Sequence, residues 1–347
     1  MGASVPCRAA RVICEASPRG SPSAPAVVSA AAGCRVPQAG VEARRLSTTP
    51  PAQPPVQPGR LAPEATFWRQ ALYAGVRHGP EAWVRYSPPF FGWAFAAALP
   101  EVRATVLRGL RRIHGRRSML REARDVAEVF ATFASSLTDS FAAGVRAGAV
   151  VRRRTRGEEH YLRAAEAGRG LVMVTAHTAG WDLAGRLLAR TKQLDVLLVM
   201  QPEPNARARA LHDAARAQAG VRVVHAGGDP LASLELLRHL RRGGVVALQL
   251  DRLAPGMRAR RVNFLGASWR VPEGALSLAA LTGAPILPVF SRRLGFLDYE
   301  LVVEPAERLP RRPTEAELDA AAQALASALE RFVRAYPTQW FRFREDG

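Results

Sequence analysis

Cysteine is scarce in this chain and is confined to one end of it. The three cysteines are Cys7, Cys14 and Cys34, so no cysteine follows position 34 in a chain of 347 residues. A disulfide framework and a cysteine-based metal site are therefore excluded for the main part of the chain. This distribution fits a reducing compartment.

Three widespread catalytic and nucleotide-binding motifs are also missing. The sequence contains no G-x-S-x-G elbow, no P-loop and no G-x-G-x-x-G turn, which argues against a serine hydrolase, a nucleoside-triphosphate enzyme and a Rossmann dehydrogenase. His160, His212, His225 and His239 have no partner at the spacing of metal ligands. The sequence therefore predicts neither a metal site nor a cofactor.

Lysine is almost absent, yet the chain is strongly basic. Lys192 is the only lysine, while arginine brings the net charge to +19 and the pI to about 11.4. Such a charge favours anionic partners, which include phospholipid head groups, acidic carrier proteins and nucleic acid. No zinc-finger spacing or RNP-type motif accompanies the arginines, so a nucleic-acid partner is not expected.

No apolar run is long enough to form an ordinary transmembrane helix. The most apolar segment, residues 88–99 (PPFFGWAFAAAL), is shorter than the ~20 residues that a spanning helix needs. It lies in an aromatic-rich region, residues 67–100, and an arginine-rich segment, residues 101–124, follows. These segments predict either a region that lies at an anionic membrane surface, with spanning left open, or a buried helix pair with a solvated basic face.

Composition divides the chain into three regions. Residues 1–62 are rich in Ala, Pro, Ser, Gly and Arg without any period, which predicts a disordered extension or a translation start placed too far upstream. Residues 63–150 are predicted to be helical and membrane-associating. Residues 151–347 are predicted to form the catalytic domain, and an apolar content of 48% supports a sizeable core.

Strand and helix patterns alternate from residue 171 onward. We predict strands over residues 171–176, 194–200, 221–225, 245–250, 286–290 and 299–304. A helix should begin at Asp229-Pro230, and the last helix should begin at a capping box formed by Thr314 and Glu317. This alternation predicts an α/β fold with a central, mostly parallel sheet flanked by helices.

The most informative segment is residues 171–190, LVMVTAHTAGWDLAGRLLAR. Its pattern predicts a strand, a turn and a helix, with His177 at the end of the strand and Asp182 in the first helical turn. A carboxylate there would fix the tautomer of the imidazole and leave its other nitrogen as a base. Asp251 also follows a predicted strand, and the carboxyl ends of strands are where α/β folds place their sites. From the residues alone, Asp251 is as well explained by an ordinary turn.

Residues 177–182 resemble the H-x-x-x-x-D/E motif of the glycerolipid acyltransferase superfamily. Trp181, just before the acid, resembles the H-x-G-N-W-E version of the lipid A biosynthesis (lauroyl/myristoyl) acyltransferases, although Ala179, Gly180 and Asp182 depart from it. Residues 262–266 and 281–285 resemble the V-x-F-F-G and L-A-x-x-x-G-A-P segments of that family in the same order, and residues 325–344, with Pro337 and Trp340, resemble its closing P-x-x-x-x-W segment.

The resemblance implies a set of site residues. His177 and Asp182 would be catalytic. The substrate-binding residues would be Asn205, Arg216, Asp251, Arg252, Phe264 and Gly266. Arg207 and Arg209 compete with Arg216 for one of these positions, and Arg252 departs from the Gln that usually follows the acid in the family.

The resemblance also implies a function. It predicts a glycerolipid-acyltransferase-like sandwich that transfers a fatty acyl chain from acyl carrier protein or acyl-CoA to a lipid hydroxyl, most simply in lipid A-type secondary acylation. The protein would act at the cytoplasmic face of the bacterial inner membrane, peripherally or with a single N-terminal anchor. Alternatives are a phospholipid, a glycolipid or another hydroxyl acceptor, and a catalytically silent membrane-binding relative.

Overall fold

The fold is described from a computed structural model. The described residues are 66–146, 148–166, 168–181, 183, 195–201, 222–225, 230–254 and 256–344. All of them belong to one compact unit, Gln57–Gly347. The predicted disordered extension, residues 1–62, lies outside the described residues.

Five helices form the first part of this unit: α1 (Thr66–His78), α2 (Glu81–Tyr86), α3 (Pro88–Ala98), α4 (Pro100–His114) and α5 (Met119–Val145). Both α3 and α4 begin with proline, which suits a first helical position because the backbone N–H there needs no partner inside the helix. Helix α3 crosses α5 at Gly92, where a side chain would collide with the backbone of Phe130 and Ala131. Glycine therefore allows the close approach of these two helices.

The described strands form a seven-stranded sheet and a separate hairpin. They are β1 (Arg152–Arg156), β2 (Leu171–Thr175), β3 (Val196–Met200), β4 (Arg222–His225), β5 (Val245–Gln249), β6 (Ala259–Phe264), β7 (Ala267–Pro272), β8 (Ile286–Gly295) and β9 (Asp298–Val303). The sheet has the order β1-β9-β8-β2-β5-β3-β4, and β6 and β7 form the hairpin. Within the sheet only the β8–β9 pair is antiparallel. The prediction of a mostly parallel central sheet is confirmed.

Helices cover both faces of the sheet, and alternate strand residues face them. The other described helices are α6 (Glu158–Ala165), α7 (Pro230–Arg241), α8 (Gly274–Thr282) and α9 (Glu315–Ala335). Val172 and Val174 share a core with Phe332 of α9, whereas Leu171 and Met173 share the opposite core with Ala164 of α6. Burial on both faces explains why the first four residues of β2, 171–174, form an unbroken apolar run.

In the C-terminal half, the cap of α9 was predicted and the β6–β7 hairpin was not. The capping box at the start of α9 is confirmed, with Thr314 and Glu317 bonded reciprocally. The β6–β7 hairpin was not predicted; its turn residues Leu265 and Gly266 both have positive φ, as a tight I′-type hairpin turn requires. The backbone N–H of Leu265 donates to Glu330 of α9 at 2.7 Å, which fixes the hairpin on that helix.

No single helix among the described residues is long and apolar enough to cross a bilayer. Helices α3 and α4 reach the necessary length and hydropathy only as a pair, and they are bent by 101° relative to each other.

Candidate active site

The register of two neighbouring strands places His177 beside Asp251. Strands β2 and β5 are parallel, and Thr175 at the end of β2 pairs with Gln249 at the end of β5. His177 and Asp251 each lie two residues beyond these partners, so they leave the sheet at the same level. Imidazole Nδ1 lies 2.9 Å from Asp251 Oδ1.

Asp251 is buried and accepts hydrogen bonds on both of its oxygens. In addition to Nδ1, the backbone N–H of His177 donates to Oδ2 at 3.0 Å and the indole Nε1–H of Trp340 donates to Oδ2 at 2.9 Å. Burial alone would raise the pKa of Asp251. The charge of His177, the bonds from His177 and Trp340 and the charge of Arg252 outweigh burial and lower this pKa to about 2. Asp251 is therefore a carboxylate at neutral pH.

The carboxylate determines which nitrogen of His177 can act as a base. An ionised Asp251 can only accept, so Nδ1 must carry the proton and donate it to Oδ1. In the neutral imidazole Nε2 is then unprotonated and carries the lone pair that can accept a proton. The side chain of His177 keeps 12% of its surface exposed, and the ring of Trp181 lies 5.4 Å from it. The geometry is that of an oriented general base.

The turn after His177 is held by close packing and by buried hydroxyl groups. Gly180 has φ +78°, and a Cβ at this position would run into the ring of Tyr299. Thr178 is fully buried, and its hydroxyl accepts from the backbone N–H of Ser291 in β8 at 3.2 Å. A small residue at position 180 and a hydroxyl at position 178 therefore fit the turn against the neighbouring strands.

The segment that follows α9, residues 337–343, completes the site and is called the closing segment below. Thr178 and Trp340 form an antiparallel bridge. The Ala179 N–H donates to the Gln339 carbonyl, and the Phe341 N–H donates to the His177 carbonyl, both at 2.8 Å. The closing segment thus runs as an extra strand along the turn that carries His177.

Arg252 is fixed close to the same turn. Its Nη2 donates to the carbonyl of Phe341 at 3.0 Å, and the N–H of Phe341 donates to His177. The N–H and C=O of one extended residue point to the same edge of a strand. The exposed guanidinium of Arg252 is therefore tied to the same residue of the closing segment that bonds to His177.

Of the two predicted substrate-binding residues near the hairpin turn, Phe264 is buried and Gly266 is exposed. Phe264 is buried, stacks on Trp269 with ring centroids 4.4 Å apart, and meets the ring of Trp340 edge-on at 5.7 Å. Gly266 is exposed at the tip of the β6–β7 hairpin. Phe264 supports the site through Trp340, and the substrate-binding roles expected for both residues stay predictions.

A second buried carboxylate lies behind the turn. Asp139 of α5 accepts from Tyr299 Oη at 2.7 Å, from Arg293 Nε at 2.8 Å and from the backbone N–H of Leu297 at 3.2 Å. All three bonds are made to Oδ2. Because the ring of Tyr299 also packs on Gly180, this cluster braces the His177 turn from α5.

The structure describes only part of the predicted site. Asp182, Asn205 and Arg216 lie outside the described residues, as do the competing Arg207 and Arg209. Among the described residues the carboxylate at Nδ1 is Asp251, for which only substrate binding was expected. The predicted pairing of Asp182 with His177 stays a prediction.

In the sequence, Trp340 stands out only as part of the C-terminal family motif, which predicts no role for it. It lies 89 positions from Asp251 in the chain. No spacing pattern could have paired these two residues, because they meet only after the closing segment lies along the His177 turn.

Comparison with curated proteins finds lipid acyltransferases. Phosphatidylinositol mannoside acyltransferase of Mycobacterium tuberculosis H37Rv is 29% identical over 191 residues, which cover 53% of this chain and 56% of that protein. The enzyme of the same name from Mycolicibacterium smegmatis is 26% identical over 185 residues, covering 52% and 58%. This chain therefore spans about half the length of the curated relatives that it matches.

Comparison with solved structures finds the 1-acyl-sn-glycerophosphate (LPA) acyltransferase PlsC of Thermotoga maritima. Its TM-score is 0.36 at 12% identity, covering 80% of this chain and 99% of that chain. The family model for bacterial lipid A biosynthesis acyltransferases matches residues 57–345, which include every described residue of the site. The chain belongs to this acyltransferase family.

Proposed function

We propose that this protein is a membrane-surface O-acyltransferase in which His177 activates a lipid hydroxyl for attack on an acyl thioester. The observation that carries the proposal is the His177–Asp251 pair at the carboxyl edge of the sheet, inside the segment that matches the acyltransferase family. The pair leaves imidazole Nε2 as the available base, which is what an acceptor hydroxyl needs.

The proposed reaction uses one base and no covalent enzyme intermediate. Nε2 of His177 takes the proton from the acceptor O–H while the oxygen attacks the thioester carbonyl carbon. The tetrahedral intermediate collapses, the C–S bond breaks, and the thiolate takes the proton from the imidazolium to leave as a thiol. The products are an ester and the free thiol of the donor. General-base catalysis of this kind contributes about 10²- to 10⁴-fold.

Negative charge on the former carbonyl oxygen needs a hydrogen-bond donor. The amides of His177, Thr178, Ala179 and Trp181 already donate within the protein. Arg252 is exposed and is held beside the His177 turn by a hydrogen bond from its Nη2 to the carbonyl of Phe341. Among the described residues, the backbone N–H of Gly180 and the guanidinium of Arg252 are our candidates for binding this oxygen, and Arg252 is also our candidate for binding an anionic part of the donor.

The proposed membrane surface is the outer side of α2 and α3. Its exposed aromatic side chains are Trp83, Tyr86, Phe90, Phe91 and Trp93, which we call the aromatic surface. Their exposed fractions of 46–63% are unusual for large apolar groups, and aromatic residues favour the interface between lipid and water. We place this surface at the cytoplasmic face of the bacterial inner membrane.

A continuous path of contacts joins the aromatic surface to His177. Helix α3 packs on α5 at Gly92, and α5 presents Phe130 and Phe133 to the closing segment. Phe130 lies 5.2 Å from Phe343, and Phe133 lies 5.2 Å from Phe341, whose N–H bonds to His177. The aromatic surface is thus connected by packed side chains to the segment that holds the His177 turn.

The donor and acceptor follow from charge and from the relatives. A net charge of +19 suits acyl carrier protein, which is acidic, and also the phosphates of acyl-CoA. The family description favours lipid A as the acceptor. The names of the mycobacterial relatives favour phosphatidylinositol mannoside as a second candidate.

The proposal is tested with purified protein, both acceptor lipids in vesicles, and isotope-labelled acyl thioesters of acyl carrier protein and of coenzyme A. Lipid products are followed by mass spectrometry. The expected result is a lipid that gains one acyl chain, with His177→Ala reducing the rate by at least about 10²-fold. The matched control is His225→Ala, because His225 also ends a strand of the sheet and should not affect the reaction.

Three outcomes would contradict parts of this proposal. Undiminished transfer by the His177→Ala protein would exclude His177 as the base. Transfer to a soluble hydroxyl but to neither lipid would exclude a lipid acceptor. Binding to vesicles without any transfer, by folded protein, would favour a catalytically silent membrane-binding relative.

A further inference from the structure

Trp340 is the one side chain, apart from His177, that bonds to Asp251 among the described residues. Its Nε1–H donates to Oδ2 at 2.9 Å, and the indole is 4% exposed. Indole nitrogen is a donor only, so it suits a carboxylate that must stay ionised.

The direction of this N–H is fixed from two sides. The backbone on either side of Trp340 is bonded to the His177 turn, through the Gln339 carbonyl and the Phe341 N–H. The ring itself packs against Phe264, which in turn stacks on Trp269. Neither the backbone nor the ring of Trp340 can turn without breaking these contacts.

The two bonds on the carboxylate have complementary effects. Oδ1 faces the imidazole, and Oδ2 faces the indole and the His177 amide. Rotation of the carboxyl group about its Cβ–Cγ bond would cost the indole bond, so the indole keeps Oδ1 in line with Nδ1. Hydrogen bonds to a charged group are also about twice as strong as neutral ones.

We propose that Trp340 is a positioning residue, which holds Asp251 in the orientation that fixes the imidazole of His177. This inference rests on the proposed function, because it assigns Trp340 a part in the same base. Trp340 does not touch the reacting atoms; it acts through Asp251.

The contact itself is tested by a spectroscopic signature that needs no activity. In ¹⁵N–¹H spectra of the full chain, the indole resonance of Trp340 is identified by its loss in Trp340→Phe. We expect this resonance to shift when Asp251 is replaced by Asn, while the indole resonance of Trp269 stays in place. If the chemical shift of the Trp340 indole N–H is the same in the Asp251→Asn protein as in wild type, the inference is overturned, whatever the activity.

The kinetic test compares two tryptophans that contact the same phenylalanine. Trp340→Phe removes the donor to Asp251, whereas Trp269→Phe alters the ring that stacks on Phe264 without touching Asp251. We expect kcat of acyl transfer to fall about tenfold for Trp340→Phe, with KM almost unchanged, and to fall far less for Trp269→Phe. Equal losses for the two variants would overturn the inference.

A double variant separates positioning from general packing. If Trp340 acts through Asp251, then Trp340→Phe should cause no further loss of rate in an Asp251→Asn background. Full additivity of the two losses would overturn the inference. A wild-type protein without any acyl transfer would overturn the proposed function instead, while the spectroscopic test still decides the contact.

The phenylalanine variant also changes the volume of the side chain, so an isosteric variant is needed as well. Replacing Trp340 with 3-benzothienylalanine keeps the bicyclic shape and removes only the N–H. We expect this variant to unfold at nearly the wild-type temperature and to show the same roughly tenfold loss in kcat. Wild-type kcat in the folded isosteric variant would overturn the inference.

Discussion

Two buried carboxylates, Asp251 and Asp139, lie on either side of the His177 turn and differ in character. They are 4% and 1% exposed, and each accepts three hydrogen bonds. Their pKa values nevertheless move in opposite directions. That of Asp251 is lowered to about 2, whereas burial raises the pKa of Asp139 despite its contact with Arg293.

The difference follows from how the hydrogen bonds are distributed. Asp251 has donors on both oxygens, so the charge of the whole carboxylate is solvated by the protein. Asp139 has all three donors on Oδ2, and its Oδ1 is buried without a hydrogen-bond partner among the described residues. A carboxylate needs donors for both oxygens to remain charged at low cost when it is buried. The surroundings of Asp251 thus stabilise its charged form, whereas Asp139 serves as a hydrogen-bond acceptor that links α5 to β8 and β9.

The largest expected effect comes from removing the charge of each carboxylate in turn. Asp251→Asn should lower kcat of acyl transfer by about 10³- to 10⁴-fold, because an amide NH₂ opposite Nδ1 favours the wrong tautomer of the imidazole. Asp139→Asn is the matched control, and we expect its kcat to stay within a few-fold of wild type. Both rates are measured on protein shown to be folded by circular dichroism.

The control is informative because an amide oxygen can still accept from Tyr299 and Arg293 at position 139. A loss of activity in Asp139→Asn as large as that in Asp251→Asn would contradict the comparison. It would mean that the charge of Asp139, rather than its shape, reaches His177.

The dependence of stability on pH should separate the two carboxylates by sign. The folded pKa of Asp251 lies below its unfolded value, so its stabilisation is complete above pH ~4 and is lost as the pH falls towards 2. A shift of this size is worth about 2–3 kcal/mol. The folded pKa of Asp139 is raised, so its ionised form weakens the fold, and this penalty disappears as the pH falls through its folded pKa.

Denaturant unfolding at neutral pH and near pH 2 measures both effects. The destabilisation caused by Asp251→Asn should shrink as the pH falls, while any destabilisation caused by Asp139→Asn should grow. Parallel changes in the two variants would show that the carboxylates do not differ in the way their hydrogen bonds indicate.

The sequence alone was sufficient for the architecture and for placing His177 and Asp251 at strand ends. Short apolar runs that alternate with helical patterns predict the parallel strands, because a strand that is buried on both faces consists mainly of apolar residues. His177 and Asp251 were both found at predicted strand ends, and parallel neighbouring strands bring such ends together. The capping box of Thr314 and Glu317 is local, so its spacing alone predicts it.

Contacts between distant segments were not predictable in this way. The bond from Trp340 to Asp251 depends on how the closing segment lies, and the Asp139 cluster joins residues 154 to 160 positions apart. Strand β1, with the sequence RRRTR, was missed because arginine gives no apolar period. It pairs with β9 at the edge of the sheet, where exposed charged residues are tolerated.

The smallest expected effect is that of a substitution at Gly180, which belongs to the His177 turn and packs on Tyr299 of the Asp139 cluster. Gly180→Ala places a methyl group against the ring of Tyr299 at φ +78°, whereas Gly243→Ala, at φ +86°, meets nothing within 4 Å. The left-handed conformation costs each alanine about 1 kcal/mol. We expect Gly180→Ala to lose about 1–2 kcal/mol more, because the Tyr299 ring must move. Thermal and denaturant unfolding of both variants measure the difference.

The activity of the Gly180→Ala and Gly243→Ala variants shows whether the Asp139 cluster positions the His177 turn. Tyr299 cannot shift away from residue 180 without disturbing its bond to Asp139, so the added methyl group should displace the turn instead. Gly180→Ala should then lower kcat several-fold in fully folded protein, and Gly243→Ala should not. Equal stability and equal kcat in the two variants would show that Tyr299 yields freely and that Asp139 braces only the fold. In that case Asp251, with Trp340, would position the base without help from α5.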